Sequence, residues 1–380
     1  MKVLHINASY KPAYVYGGPT VSVSMLCEQL HGAGIDVEVY TTTANGVAEL
    51  PVKPNETKYV DNVAVTYFKR VTKDHTHFSP ALLGALNKKI KQFDIVHIHA
   101  WWNLVSVLSC YVAIKNKVPV VLSPRGTLSA YSFSNKNTGF KSYIHRFLGK
   151  RLLQKCLIHA TSVYEASAIN RLMANQSTTV IPNLIRLSDE KDQSPERFVN
   201  NKLRLLFLSR IEEKKGLDIL LRSLEHITVP FSLTIAGSGD PEYIEKLKLL
   251  IPESQKDNIE WAGFYGDGKF KQLAAHDLLV LPSHDENFGN VVIESLSAGT
   301  PVLISNKVGL ASYVETNNLG WICEPDIYSI SNTIIRIYIN EQKKLTEIRG
   351  KAPGVIHHEF SGERLVKRYI DLYQSIKRTT

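Results

Sequence analysis

The 380-residue chain has no apolar run approaching the ~20 residues that a membrane-spanning helix needs. Cysteine is scarce. Cys27, Cys110, Cys156 and Cys323 lie far apart and form no C-x-x-C pair, which argues against a zinc site and for a reduced, cytoplasmic protein. An acidic surplus is also missing: 45 Lys plus Arg face 36 Asp plus Glu, for a net charge of +9. Such an excess suits an anionic substrate, an anionic membrane surface or nucleic acid. No aromatic-interleaved basic stripe or nucleic-acid motif accompanies it, so nucleic acid is the weakest of the three. A complete G-x-G-x-x-G fingerprint is absent as well. Gly237-Ser238-Gly239 follows a strand-like run, but Glu242 holds the third glycine position, which disfavours a dehydrogenase. No Asp-x-Asp metal motif stands out, and no metal or cofactor is expected. The opening Met1-Lys2-Val3-Leu4-His5-Ile6-Asn7 is broken by His5 and Asn7, so it reads as a first buried strand and not as a secretory signal.

What is present is an alternation of short apolar runs with helix-compatible segments. Strand-like runs fall at Val3 to Asn7, Val37 to Thr43, Val63 to Lys69, Ile95 to Ala100, Val118 to Ser123, Leu157 to Thr161 and Thr178 to Ile181. A second series falls near Leu203 to Ser209, Leu233 to Ala236, Ile259 to Gly263, Leu278 to Leu281, Val302 to Ser305 and Trp321 to Cys323. Alternation of this kind argues for an α/β chain with parallel sheets covered by helices on both faces. Its length suits about two domains. Ser188 to Lys202 is polar and poor in apolar residues, as expected of a linker or long surface loop. Val23, Leu26, Cys27 and Leu30 share one helical face, and Gly32 and Gly34 close that helix. Ahead of it lies Gly17-Gly18-Pro19, which on its own is a turn.

The densest chemistry follows Leu278-Leu279-Val280-Leu281, a run short and apolar enough for a strand buried on both faces. Pro282 ends it, and Ser283-His284-Asp285-Glu286-Asn287-Phe288 reads as a loop. A helix begins at Gly289. Glu286 lies in the loop and Glu294 on the helix's second turn, with the N–H groups of Gly289, Asn290 and Val291 between them. Donors at a helix start favour a phosphate, and ionised carboxylates accept hydrogen bonds from sugar hydroxyls. The spacing alone is equally compatible with an ordinary strand-loop-helix whose two glutamates are solvated.

The stretch from Glu286 to Glu294 resembles the E-x7-E signature of retaining glycosyltransferases of family 4, and Leu281-Pro282-Ser283, Phe288-Gly289 and Ala298-Gly299-Thr300-Pro301-Val302 resemble that family too. Ser209-Arg210-Ile211-Glu212-Glu213-Lys214-Lys215-Gly216 resembles its Arg-x4-Lys-Gly element, and Pro182-Asn183 its interdomain turn. The resemblance implies the GT-B fold, two Rossmann-like doubly wound domains facing a central cleft. Residues 1–185, joined by a returning C-terminal helix at 362–380, would bind the acceptor; residues 186–361 would bind the nucleotide-sugar. It implies retaining transfer from a nucleotide-diphospho-sugar to a glycan, lipid-linked or other hydroxyl acceptor, in bacterial cell-surface polysaccharide or glycoconjugate synthesis. A nucleotide-sugar 2-epimerase, a sugar phosphorylase and a non-catalytic nucleotide-sugar-binding subunit remain open alternatives.

The same resemblance assigns roles to residues. Glu286, Lys215 and Arg210 would serve catalysis, the two cations holding the leaving diphosphate; Lys214 reads as solvated. Glu294, Gly289, Asn290, Val291, Phe288, Gly18 and Gly263 would border the donor. Arg125, His99 and Gly17 would serve the acceptor. His97 and His99 point to one face of a strand, and His99 is nearer the strand's end. The family commonly carries a histidine after the fifth strand, where this chain has Pro124-Arg125-Gly126. The planar fork of Arg125 suits an acidic acceptor or a phosphate. Phe140 to Cys156 is basic and amphipathic. It could be a sheet-covering helix, or a dock for anionic lipid at the inner face of a membrane.

Overall fold

The computed structural model describes residues 1–129, 149–173, 178–189, 202–266 and 268–377. Two compact units emerge, Met1–Ile185 with Gly362–Thr380, and Arg186–Ser361. Most of Phe140 to Cys156 and of Ser188 to Lys202 lies outside the described residues. No described helix is long and apolar enough to cross a membrane.

The first unit holds strands β1 (Lys2–Ile6), β2 (Asp36–Thr42), β3 (Ala44–Asn45), β4 (Ala48–Glu49), β5 (Thr57–Val60), β6 (Val63–Phe68), β7 (Ile95–His99), β8 (Val120–Ser123), β9 (Leu157–Ala160) and β10 (Thr178–Val180). Eight form one sheet in the order β10-β9-β8-β7-β1-β2-β6-β5. Every neighbouring pair is parallel except β5 with β6. That hairpin and the small β3–β4 pair were not foreseen. Asp61 and Asn62 join β5 to β6 with φ of 48° and 65°, the paired left-handed conformation of a two-residue hairpin turn. β5 is largely exposed and carries none of the apolar signal that marks the buried strands.

Helices cover both faces. On one, the helices Pro80–Lys89 and Leu104–Lys115 bury Leu82, Leu86, Val105 and Cys110 against Ile98 and Leu122. On the other, the helix Gly18–Gly32 buries Val23, Leu26, Cys27 and Leu30, and the final helix Gly362–Lys377 packs Leu365, Val366, Tyr369, Leu372 and Tyr373 into the same cluster. The last 16-residue helix is therefore part of the first unit's core. Strand order runs outward from β1 to β2 and β6, then jumps back to β7 and on to β10. The jump makes a topological switch point between β1 and β7, and ligands of such sheets bind beyond the carboxyl ends of strands at that point.

The second unit repeats the plan with six parallel strands, β11 (Leu203–Leu208), β12 (Phe231–Ala236), β13 (Ile259–Gly263), β14 (Leu278–Leu281), β15 (Val302–Ser305) and β16 (Gly320–Cys323). Their order, β13-β12-β11-β14-β15-β16, puts its switch point between β11 and β14. Leu278-Leu279-Val280-Leu281 is buried at every position, as a central parallel strand must be.

A chain ended at Ser361 would strip the first unit of five buried side chains from one face. We expect it to lose the cooperative unfolding of that unit, seen as loss of near-UV circular dichroism from its buried tyrosines; an unaltered melt would show that the final helix is dispensable.

Candidate active site

In the second unit the loops after β11 and β14 meet at the switch point. Glu213–Lys215 forms a single tight turn, and Gly216 follows in the left-handed conformation with φ 70°. A Cβ at Gly216 would lie 2.1 Å from the carbonyl oxygen of Pro282. Only glycine lets the two loops come this close. His284 N–H donates to the Lys214 carbonyl at 2.9 Å and fastens them. The consequence is an ion pair between Lys215, 9% exposed, and the carboxylate of Glu286. Burial alone would push the Glu286 carboxyl up, but Lys215, with Lys214 and Arg210 behind it, overcomes this and holds it below the usual carboxylate range. Arg210 is about half exposed and bridges Glu212 at 2.7 Å, so its guanidinium can turn to an incoming anion. Lys214 is not merely solvated: it pairs with the buried Asp285 at 3.2 Å.

Glu286 is fixed through its main chain. Its N–H donates to the Lys307 carbonyl at 3.0 Å and its own carbonyl accepts from Gly309 at 2.7 Å. Gly289, φ 91°, starts the helix Asn290–Ser297, and no side chain caps that start. A Cβ there would meet Val308 and Val292 at 3.1 and 3.2 Å. Asn290, Val291 and Glu294 keep part of their surface exposed. Glu294 pairs with Lys269 at 2.6 Å, a partner from the helix Lys269–Ala275 that no short-range pattern announces. Phe288 is turned inward and packs against Phe360, so only its main chain faces the loop's outer side. Gly263 ends β13 with φ 70° in open space, beside the highly exposed Phe264. The glycines of Gly237-Ser238-Gly239 serve packing: a Cβ at Gly237 would sit 1.8 Å from the Ser209 carbonyl oxygen, just before Arg210.

In the first unit, Gly17 precedes the helix Gly18–Gly32 with φ 68° and ψ −141°, backbone that favours glycine. Gly18 is its first residue and not a loop residue. Arg125, two residues beyond the carboxyl end of β8, has φ 52°. Glu165 steadies this turn by accepting from Gly126 N–H at 2.6 Å and from Thr161. The guanidinium donates to Nδ1 of His99 at 3.2 Å, to Ser22 Oγ at 3.0 Å and to Asn183 Oδ1 at 2.7 Å.

A guanidinium only donates, so Nδ1 of His99 is the acceptor nitrogen and Nε2 carries the proton. His99 then donates to Nδ1 of His5 at 3.0 Å, leaving the His5 proton on Nε2, a buried atom with no partner among the described residues. A second chain runs beside it. His159 Nε2 must donate to the Ile181 carbonyl at 2.8 Å. Ser123 therefore donates to His159 Nδ1 at 2.5 Å and accepts from His97 Nε2, and His97 Nδ1 accepts from Tyr373 at 2.7 Å. Nitrogens of His5, His97 and His99 come within 4.8 Å of one another. Each imidazole lone pair nonetheless faces a donor, and Arg125 adds a positive charge, so the trio suits a metal cation poorly. His99 is fully buried.

Two outcomes are expected from this geometry. Burial, and then Arg125, hold His5 near a pKa of about 3; burial does the same to His159, and it keeps His97 and His99 well below 6.5. The unfolded chain binds these protons and the folded one refuses them, so stability is fully present above about pH 6.5 and is lost as pH falls toward 3. Denaturant unfolding from pH 7.5 to 4 should show the first unit losing stability at a slope above one proton; a flat profile would refute the neutral cluster. Separately, Gly216→Ala should cost about 1–3 kcal/mol of stability in the second unit and dislodge Lys215; calorimetric melting and a turnover assay read the two effects.

Residues 188–353 match the model described as glycosyl transferases group 1, and residues 16–189 the model described as glycosyltransferase family 4. The chain is similar to 2-deoxystreptamine N-acetyl-D-glucosaminyltransferase of Niallia circulans, 25% identical over 94% of this chain and 98% of that one. It is similar to an uncharacterized glycosyltransferase of Methanocaldococcus jannaschii, 24% identical over 98% of each. Among solved structures, Anabaena HepE in complex with UDP and glucose matches 99% of this chain and 100% of its own, with a TM-score of 0.76 at 19% identity. The fold is GT-B, and with the two family models covering nearly the whole sequence between them, the chain belongs to the group 1, family 4 glycosyltransferases and is a glycosyltransferase.

Proposed function

We propose that the enzyme transfers a sugar with retention from a nucleotide-diphospho-sugar to a hydroxyl of a glycan, lipid-linked or other acceptor, in cell-surface polysaccharide or glycoconjugate synthesis. The observation that carries this reading is the Lys215–Glu286 pair at the second unit's switch point, within the electrostatic reach of Arg210. The ammonium and guanidinium would hold the leaving diphosphate, joined by the N–H groups at Gly289, Asn290 and Val291. Glu286, ionised despite burial, accepts hydrogen bonds from the donor sugar's hydroxyls, and Glu294 from the ribose. HepE, bound to UDP and glucose, supports a donor of this class.

As the bond from the sugar's anomeric carbon to the diphosphate breaks, negative charge grows on the departing oxygen, where fixed cations lower the barrier. The acceptor oxygen bonds to the same face of that carbon, and its proton passes to the leaving phosphate. No separate base is needed. The leaving group's charge is met by side chains and main-chain dipoles, so the reading includes no metal or cofactor. The first unit takes the acceptor, through Arg125 and the Gly17-Gly18 start of its first helix. A cytoplasmic enzyme touching anionic lipid through Phe140 to Cys156 completes the proposal.

Removing one preorganised charge of this kind costs about 10²–10³-fold in turnover. Lys215→Ala and Glu286→Gln should each fall by that order while their circular dichroism stays native; near-native turnover in either would remove the assignment. Thermal shift with UDP, GDP and ADP sugars identifies the donor, because a tight ligand raises the melting temperature by mass action.

A further inference from the structure

We infer that Arg125 anchors an anionic group, a carboxylate or a phosphate, carried by the sugar substrate that the first unit receives. The inference rests on the transferase reading and adds the chemical class of substrate.

Arg125 is largely buried, and burial draws its pKa down. Buried charges are normally paired. Here every partner is neutral: His99, Ser22 and Asn183 accept from Nε and Nη1, and no carboxylate lies within ion-pair distance among the described residues. The nearby acid, Glu165, has both oxygens engaged by Gly126 and Thr161. His99 cannot supply negative charge, and its own proton points away toward His5. Nη2 makes no hydrogen bond among the described residues, and the residue keeps part of its surface open.

Position agrees with charge. Arg125 stands at the carboxyl end of β8, and two of its three partners come from the end of β7 and from the helix that follows β1, the two strands that flank the first unit's switch point; the third, Asn183, lies beyond β10. Its left-handed backbone, costly for a residue with a side chain, is held by the Glu165 bridge. Three neutral acceptors fix the plane of the fork while its charge stays uncompensated. A planar, oriented cation of this kind matches a carboxylate or phosphate.

The test follows the Arg125 side-chain N–H signal by nitrogen-15 NMR, assigned by its loss in Arg125→Lys, during titration with inorganic phosphate, glucuronate, glucose 6-phosphate and glucose. The expected result is a shift with the anions and none with glucose. The sugar acids separate a carboxylate from a phosphate preference, and a response to inorganic phosphate equal to that of both sugars would identify a free-phosphate site and overturn the inference. Arg125→Gln should weaken the preferred anion about tenfold or more and leave unchanged the affinity for whichever of UDP, GDP and ADP the thermal shift selects. If that variant fails to fold, Arg125→Lys, which keeps the charge and loses the fork, gives the same comparison. A signal indifferent to every anion overturns the inference while leaving the transferase reading intact. Absence of binding to UDP, GDP and ADP alike in the unaltered enzyme would strike the transferase reading instead.

Discussion

The ion pair between Lys215 and Glu286 is the constraint around which the second unit is built. Its members are 71 residues apart in sequence, yet β11 and β14 are neighbours in the sheet, so the loops that follow them start side by side. A pair this well buried gains little from Coulomb attraction unless its surroundings are fixed. Fixation comes from the backbone: Gly216 lies against Pro282, His284 is tied to Lys214, and Glu286 is tied at both main-chain atoms to the segment around Val308. Each of these contacts tolerates no extra atom or needs a particular peptide orientation. The rigidity holds Lys215 where its charge outweighs the upward push of burial on the Glu286 carboxyl. It also keeps one ammonium in a low-dielectric site, available to an anion that competes with Glu286 for it.

Much of this was legible in the sequence because the signals are local. A central parallel strand such as β14 is apolar throughout, and the six strands of the second unit, its partly exposed edge strand β13 included, fall where the short apolar runs fall. Glu286 and Glu294 lie on one strand-loop-helix, and their spacing is readable within nine positions. The antiparallel edge of the first sheet was not legible: β5 is too exposed to carry an apolar pattern, and only the Asp61-Asn62 turn marks it. Inward and outward orientation was equally hidden. Phe288 looks like a loop residue facing a ligand, but an aromatic ring between polar neighbours gains more from packing on Phe360. Alternation places His97 and His99 on one face without saying which face meets solvent, and the sheet buries both.

Long-range partnership is the remaining blind spot. Lys269 lies 25 residues from Glu294, and Arg125 lies 103 residues from Ser22 and 58 from Asn183. Nothing within a helix turn or a strand pleat links such residues; the sheet order does. Gly237 and Gly239 carry a local signal that long-range packing explains. They resemble part of a phosphate loop, yet their missing side chains are explained by the main chain of Ser209 and Ile211 pressed against them.

The two units share a winding and differ in how they treat charge at the switch point. In the second, the buried Lys215 meets Glu286, and the half-buried Lys214 and Lys269 meet Asp285 and Glu294. In the first, Arg125 meets only neutral acceptors among the described residues, and the imidazoles behind it are aligned so that each lone pair receives a proton from the next group. An acid placed against Arg125 would satisfy its charge within the protein and leave it little reason to bind a substrate. A neutral cradle fixes the direction of the fork and leaves the charge available. The histidine chain thereby acts as a scaffold for one cation, and its burial is what prevents the imidazoles from becoming competing cations at neutral pH.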